Sequence, residues 1–151
     1  MPIAISSDKI DISSEKNVEE IAKIIQKKIK VGDVIFLHGE MGIGKTTFVK
    51  YLINYYQKIN ELNLSEVTSP TFNIMNEYLI NGVKIHHYDL YRLKSEEELV
   101  DLDLFGNTSN LITLIEWPHL IKKKPSNLIE LIFNYNEDYE KRYLQVKGLI
   151  F

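Results

Sequence analysis

Gly39-Glu40-Met41-Gly42-Ile43-Gly44-Lys45-Thr46 reads G-x-x-x-x-G-K-T. An apolar run, Val34-Ile35-Phe36-Leu37, precedes it, and a stretch with helical spacing, Thr46-Thr47-Phe48-Val49-Lys50-Tyr51-Leu52-Ile53, follows. Strand, glycine-rich loop and helix in that order are what a phosphate-binding P-loop requires. The glycines let the backbone wrap with its N–H groups inward, which makes an anion nest, and the helix adds its positive end. We therefore assign Gly39, Glu40, Met41, Gly42, Ile43, Gly44, Lys45, Thr46 and Thr47 to nucleotide binding. In this reading Lys45 reaches the β- and γ-phosphates and the Thr46 hydroxyl ligates Mg²⁺.

Working outward, composition narrows the possibilities. A chain of 151 residues fits one P-loop domain over 1–151, and 44% hydrophobic residues suffice for a core. The absence of cysteine excludes disulfides and thiolate metal sites and suits a cytoplasmic setting. No apolar run approaches membrane-spanning length, and Met1-Pro2-Ile3-Ala4-Ile5-Ser6 lacks the basic and apolar regions of a signal peptide. A net charge of −3 argues against direct, strong binding to DNA or RNA. Arg92 and Arg142 are the only arginines. Enzymes that move phosphate between two phosphorylated substrates clamp both with several guanidinium forks, and this chain has few to offer.

Before the loop, residues 3–12 alternate weakly as a short edge strand. Ser13 or Ser14 caps a helix carrying Val18, Ile21, Ala22, Ile24, Ile25 and Ile29, with Lys27, Lys28 and Lys30 in its last turn, and Gly32-Asp33 ends it. After the loop comes a helix over 45–58 and a polar loop, Asn60 to Glu66. In Val67-Thr68-Ser69-Pro70-Thr71-Phe72 the proline stiffens a segment placed where P-loop proteins carry a loop that senses the γ-phosphate. The same stretch reads equally well as an ordinary lead into the next strand.

Asn81-Gly82 separates two strand-like runs, 73–80 and 83–90, and so predicts a β-hairpin. Asp89 closes its second strand and is a candidate Walker-B-type carboxylate, although the run alternates and contains His86 and His87. Those two histidines face opposite sides of a strand, cannot share a metal, and read as surface or packing residues. Ser95-Glu96-Glu97-Glu98-Leu99 has the serine and acidic first turn of a helix start. After a loop at Asn107–Asn110, Leu111–Pro118 reads as a buried strand stopped by proline, and it ends in Glu116. On physical grounds Glu116 is the best candidate on the metal side. Lys122-Lys123-Lys124-Pro125 is an exposed turn, and 127–134 and 142–151 form two closing antiparallel strands. The expected fold is therefore α/β, a P-loop NTPase-like three-layer arrangement. Its sheet is mixed, with a parallel core, an antiparallel hairpin and C-terminal strands, and it is flanked by helices.

The guanine-reading Lys-x-Asp pattern occurs only at Lys9-Ile10-Asp11, ahead of the loop, so ATP is favoured. Four blocks in order then resemble the TsaE (YjeE) family: Gly39 to Phe48, Ser69-Pro70-Thr71-Phe72, His87-Tyr88-Asp89-Leu90-Tyr91-Arg92-Leu93, and Ile115-Glu116-Trp117-Pro118. Glu40-Met41 departs from the Asp-Leu common in that family, conservatively in type. The resemblance implies a weak Mg²⁺-dependent ATPase, cytoplasmic and stimulated by the TsaB–TsaD pair. That pair transfers a threonylcarbamoyl group to adenosine 37 of tRNAs, with tRNA meeting the ATPase only indirectly or at its edge. It also implies roles by position: Lys45 and Thr46 on phosphate and Mg²⁺, Glu116 as second protein ligand of Mg²⁺, and Asp89 in hydrolysis and metal binding. Thr71 falls in the switch loop, and Ser14 and Arg142 near the nucleotide. Two other readings stay open. A small-molecule or nucleoside kinase would need an acceptor pocket and usually more arginines. A non-catalytic ATP-sensing adaptor would bind ATP without turnover.

Overall fold

Val34–Leu37 is apolar at every position because it becomes a strand covered on both faces. The computed structural model describes residues 9–106 and 109–150. The alternation at Ile3 and Ile5, the loop positions Asn107 and Thr108, and Phe151 lie outside them. Within these residues one seven-stranded sheet is built from β1 (Ile10–Asp11), β2 (Val34–His38), β3 (Met75–Ile80), β4 (Val83–Asp89), β5 (Leu111–Glu116), β6 (Leu128–Tyr135) and β7 (Arg142–Lys147). The helices are α1 (Glu15–Lys28), α2 (Lys45–Ile59) and the short α3 (Glu96–Val100). Strand order is β1-β7-β6-β2-β5-β4-β3.

The sheet is mixed, as expected, but more of it is parallel than the hairpin signal implies. β4 pairs antiparallel with β3 through the Asn81-Gly82 turn, then parallel with β5. β6 pairs antiparallel with β7 but parallel with β2. The long connection between β4 and β5 lets the chain cross back and run alongside, which no local pattern encodes. Positive φ at both Asn81 and Gly82 gives the hairpin turn the twist that suits its strands.

α1 begins where the Ser14 hydroxyl accepts the Asn17 N–H at 3.1 Å, and it ends at Lys28, with Ile29 already extended. Val18, Ile21, Ala22 and Ile25 recur on one face and pack with Phe48, Val49, Leu52 and Ile53 of α2 against Ile35, Leu37, Leu114 and Leu131 of the sheet. The opposite sheet face carries a smaller cluster: Val34, Phe36, Tyr88 and Ile115. Its cover comes from Leu90, Leu93 and Leu104 of the irregular segments around α3, which itself buries no residue. Ser95 precedes α3 without a capping hydrogen bond from its side chain, and the acidic run is a solvated face.

Candidate functional site

Strand register assembles the site. Glu116 of β5 pairs across to Leu37 of β2 on one side and Asp89 of β4 on the other. The end of the P-loop strand and the two carboxylates therefore share the carboxyl edge of the parallel core, where α/β folds place their chemistry. From that edge the chain turns through the glycine-rich loop into α2. Gly44, the residue before α2, has φ +118, a conformation that L side chains rarely adopt. Gly39 is needed for space: a Cβ there would come within 2.9 Å of Ile43 Cγ2 and 3.0 Å of Phe133 Cβ.

A cavity of about 370 Å³ opens above the loop, lined by Met41, Gly42, Gly44–Thr47, Ser69, Thr71, Asp89, Tyr91, Glu116 and Trp117. The Thr46 hydroxyl donates to the Glu116 carboxylate at 3.0 Å. Asp89 accepts from the Ser69 hydroxyl at 3.0 Å, more distantly from Thr71 at 3.4 Å, and from the Tyr91 N–H at 3.0 Å. Lys45 is buried, donates to the Gly39 carbonyl, and holds its ammonium 3.8 Å from the centre of the Trp117 ring. Burial pushes its pKa below the usual lysine value, while the Glu116 and Asp89 carboxylates pull the other way. Trp117 occupies the left-handed region, φ 58, and its ring also meets Tyr91 at 4.8 Å. Strand β5 thus stops at Glu116, and the next residue presents an indole over the lysine.

The two arginines brace loops. Arg142 donates to the Ile43 carbonyl at 3.1 Å and the Ser13 carbonyl at 3.4 Å, and Arg92 donates to the Thr71 carbonyl at 3.3 Å. Arg142 also lines a second hollow of about 210 Å³ with Ile12, Glu15, Val18, Ile43, Gly44 and Thr47. Gly44 and Thr47 are shared, so the two hollows meet over the start of α2.

Of the residues expected at the site, Met41, Gly42, Gly44, Lys45, Thr46, Thr47, Thr71, Asp89 and Glu116 converge on the main cavity. Gly39 lies beneath the loop, the Glu40 side chain is exposed, Ile43 is buried, and Ser14 caps α1. Sequence reasoning missed Ser69 as a partner of Asp89, Tyr91 as a cavity wall, the Trp117 ring over Lys45, and His87. The last is fully buried, with Nε2 2.6 Å from Glu116 Oε2, while His86 faces the other side and meets Glu77 at 2.7 Å. Strand alternation placed His87 and Glu116 on faces of their own strands. Only the pairing of β4 with β5 put those faces together.

The donors at the head of the cavity are a hydroxyl and two carboxylates, hard oxygen ligands suited to Mg²⁺. Among the described residues no group of three or more His, Cys, Asp or Glu is arranged to hold a metal. A magnesium ion here would need oxygens brought by its ligand, which is how Mg²⁺ binds with nucleotide phosphates. Open space beside Gly42, where an added Cβ meets nothing within 4 Å, leaves room for such a ligand to approach the backbone.

Fold and site together define a P-loop-type α/β protein. The sequence profile described as "Threonylcarbamoyl adenosine biosynthesis protein TsaE" matches residues 12–144, and the chain belongs to the TsaE family. Among its relatives is the tRNA threonylcarbamoyladenosine biosynthesis protein TsaE of Rickettsia bellii, 36% identical over 136 residues, covering 89% of this chain and 91% of that one. The Bacillus subtilis protein of the same name is 32% identical over 127 residues, 83% of this chain and 77% of that one. The Rickettsia conorii protein is 37% identical over 111 residues; that match covers 74% of this chain but only 61% of the relative, less than two thirds of its length. The crystal structure of Bacillus subtilis YdiB superposes with a TM-score of 0.66 at 26% identity, covering 93% of this chain and 84% of that one. Among the described residues no helix is long and apolar enough to cross a membrane.

Proposed function

We propose that this protein is a Mg²⁺-dependent ATPase that supports formation of N6-threonylcarbamoyladenosine in tRNA, working with a TsaB–TsaD-type complex. The observation that carries the reading is the convergence of Lys45, Thr46, Asp89 and Glu116 on one cavity at the carboxyl edge of the parallel strands. The P-loop backbone and Lys45 hold the phosphates, for which Lys45 leaves the Gly39 carbonyl and the Trp117 ring. Thr46 and Glu116 hold Mg²⁺, which supplies neutralisation of the phosphate charge. Asp89, supported by Ser69 and facing Thr71, orients the attacking water or reaches the metal through water. The second hollow, walled by Ile12, Ile43 and Arg142, takes the nucleoside end of ATP. Family membership supports the pathway, and the names of the relatives support the tRNA product. The bracing roles of Arg92 and Arg142 leave no arginine clamp for a second phosphorylated substrate, which weighs against a kinase.

The test is ATP hydrolysis by the purified chain, alone and with the TsaB–TsaD pair of the same organism. The expected result is slow turnover alone and strong stimulation by the pair, abolished in Lys45→Ala, Asp89→Ala and Glu116→Ala. A wild-type rate in any variant would remove that residue from the site. Tight ATP binding with negligible turnover under every condition would favour an ATP-sensing adaptor.

A further inference from the structure

Glu116 is almost wholly buried, and one of its oxygens is already engaged. Nε2 of His87 lies 2.6 Å from Oε2, short for a nitrogen–oxygen pair. His87 is inaccessible to solvent, and its other nitrogen, Nδ1, has no hydrogen-bond partner among the described residues. A carboxylate oxygen only accepts, so in this contact it is Nε2 that donates, to Oε2 of Glu116. The imidazole is gripped on one side only, by Glu116. In a region this tightly packed such a group has one task on display: to hold that carboxylate.

We infer that His87 is a positioning residue for the metal-side carboxylate, fixing Glu116 so that its free lone pairs face the Thr46 hydroxyl. This rests on the proposed Mg²⁺–nucleotide site. Without His87, the Glu116 carboxyl would turn among rotamers and keep only its contact with Thr46, at 3.0 and 3.2 Å to its two oxygens. Outer partners of this kind, once removed, typically weaken metal affinity by about ten- to a hundredfold. Asp89 does not substitute, because its oxygens are occupied by Ser69 and the Tyr91 N–H. The consequence is selective. Losing His87 weakens nucleotide binding only where Mg²⁺ contributes to it, since the P-loop and Lys45 stay in place.

Isothermal titration calorimetry of ATP, with Mg²⁺ and with EDTA, on wild type, His87→Ala and His87→Gln separates the possibilities. The glutamine amide can set an N–H near the position of Nε2. In His87→Ala the affinity gained from Mg²⁺ should shrink by about tenfold or more, while affinity in EDTA stays at the wild-type value. His87→Gln should restore most of the gain. Equal weakening with and without Mg²⁺, or a full Mg²⁺ gain in His87→Ala, would overturn the inference. So would failure of a folded His87→Gln to recover any of the gain, which would also decide the matter if the alanine variant did not fold. A wild-type protein that binds ATP no better with Mg²⁺ than without would instead overturn the proposed site itself.

Discussion

Lys45 has two partners that a phosphate would replace, the Gly39 carbonyl and the Trp117 ring. If ATP draws the ammonium away, the indole loses a cation 3.8 Å from its centre. Trp117 is the only tryptophan, so its emission should change on adding Mg²⁺ and ATP, and Lys45→Ala should abolish that change. An unchanged spectrum with wild type saturated by ligand would mean that Lys45 stays where it is. Gly39 belongs to the same scale. Its missing side chain is space taken by Ile43 and Phe133. Gly39→Ala should therefore destabilise the protein by about 1–3 kcal/mol, as inserting a methyl into a packed site does. Urea unfolding measures it, and a variant as stable as wild type would show that the loop yields freely.

Elements in this protein are tied together by polar residues at their ends. Ser65, in the loop after α2, is held from both sides by Gln57 and receives the Asn54 amide, so a stretch that reads only as polar is fastened to its helix. At the β1–α1 junction the Asp11 carboxylate accepts from Ser13. The Ser13 hydroxyl and its backbone N–H at 2.8 Å hold the Asp11 carboxyl below its ordinary pKa of 3.8, against a smaller opposing effect of burial, and the charge of Lys141 adds least. A depressed carboxylate pKa stabilises the fold above the unfolded value, and the contribution disappears as pH falls through the folded one. Asp11→Asn should therefore melt below wild type at pH 6, and the gap should close as pH drops below 3.8. A gap that persists at low pH would assign the effect to packing.

For the whole molecule, ligand and stability are linked. A ligand that binds only the folded chain adds about 2.7 kcal/mol at a hundred times its dissociation constant. At about 2–4 °C per kcal/mol for a chain of this size, saturating Mg²⁺ and ATP should raise Tm by about 5–10 °C. Glu116→Ala should lose the part of that shift that depends on Mg²⁺. No shift with either nucleotide or metal, in calorimetry of the purified chain, would count against the cavity as a nucleotide site. The sheet makes the linkage direct, because β2, β4 and β5 form the core and end in the site.

Local chemistry was enough to show the P-loop from its glycines and flanks, α1 from its period and cap, the hairpin from Asn81-Gly82, and β5 with its terminal glutamate from a β-rich run that only Thr113 interrupts. These signals lie within one element and its neighbours, where dihedral preference and hydrophobic period act directly. The order of the strands is different. That β4 lies parallel to β5, and β6 parallel to β2, follows from how long connections close and which faces meet. His87 shows the consequence for function. Alone it reads as a packing histidine on an alternating strand. Beside Glu116 it is the support of a carboxylate. Ser69 on Asp89, Arg142 behind the P-loop and Trp117 over Lys45 are likewise contacts between residues far apart in the chain. Sequence chemistry determined which groups were present and on which face of its own element each stood. Only tertiary structure decided which of them meet, because hydrogen bonds and packing act through space across elements whose separation in the chain carries no record of their distance.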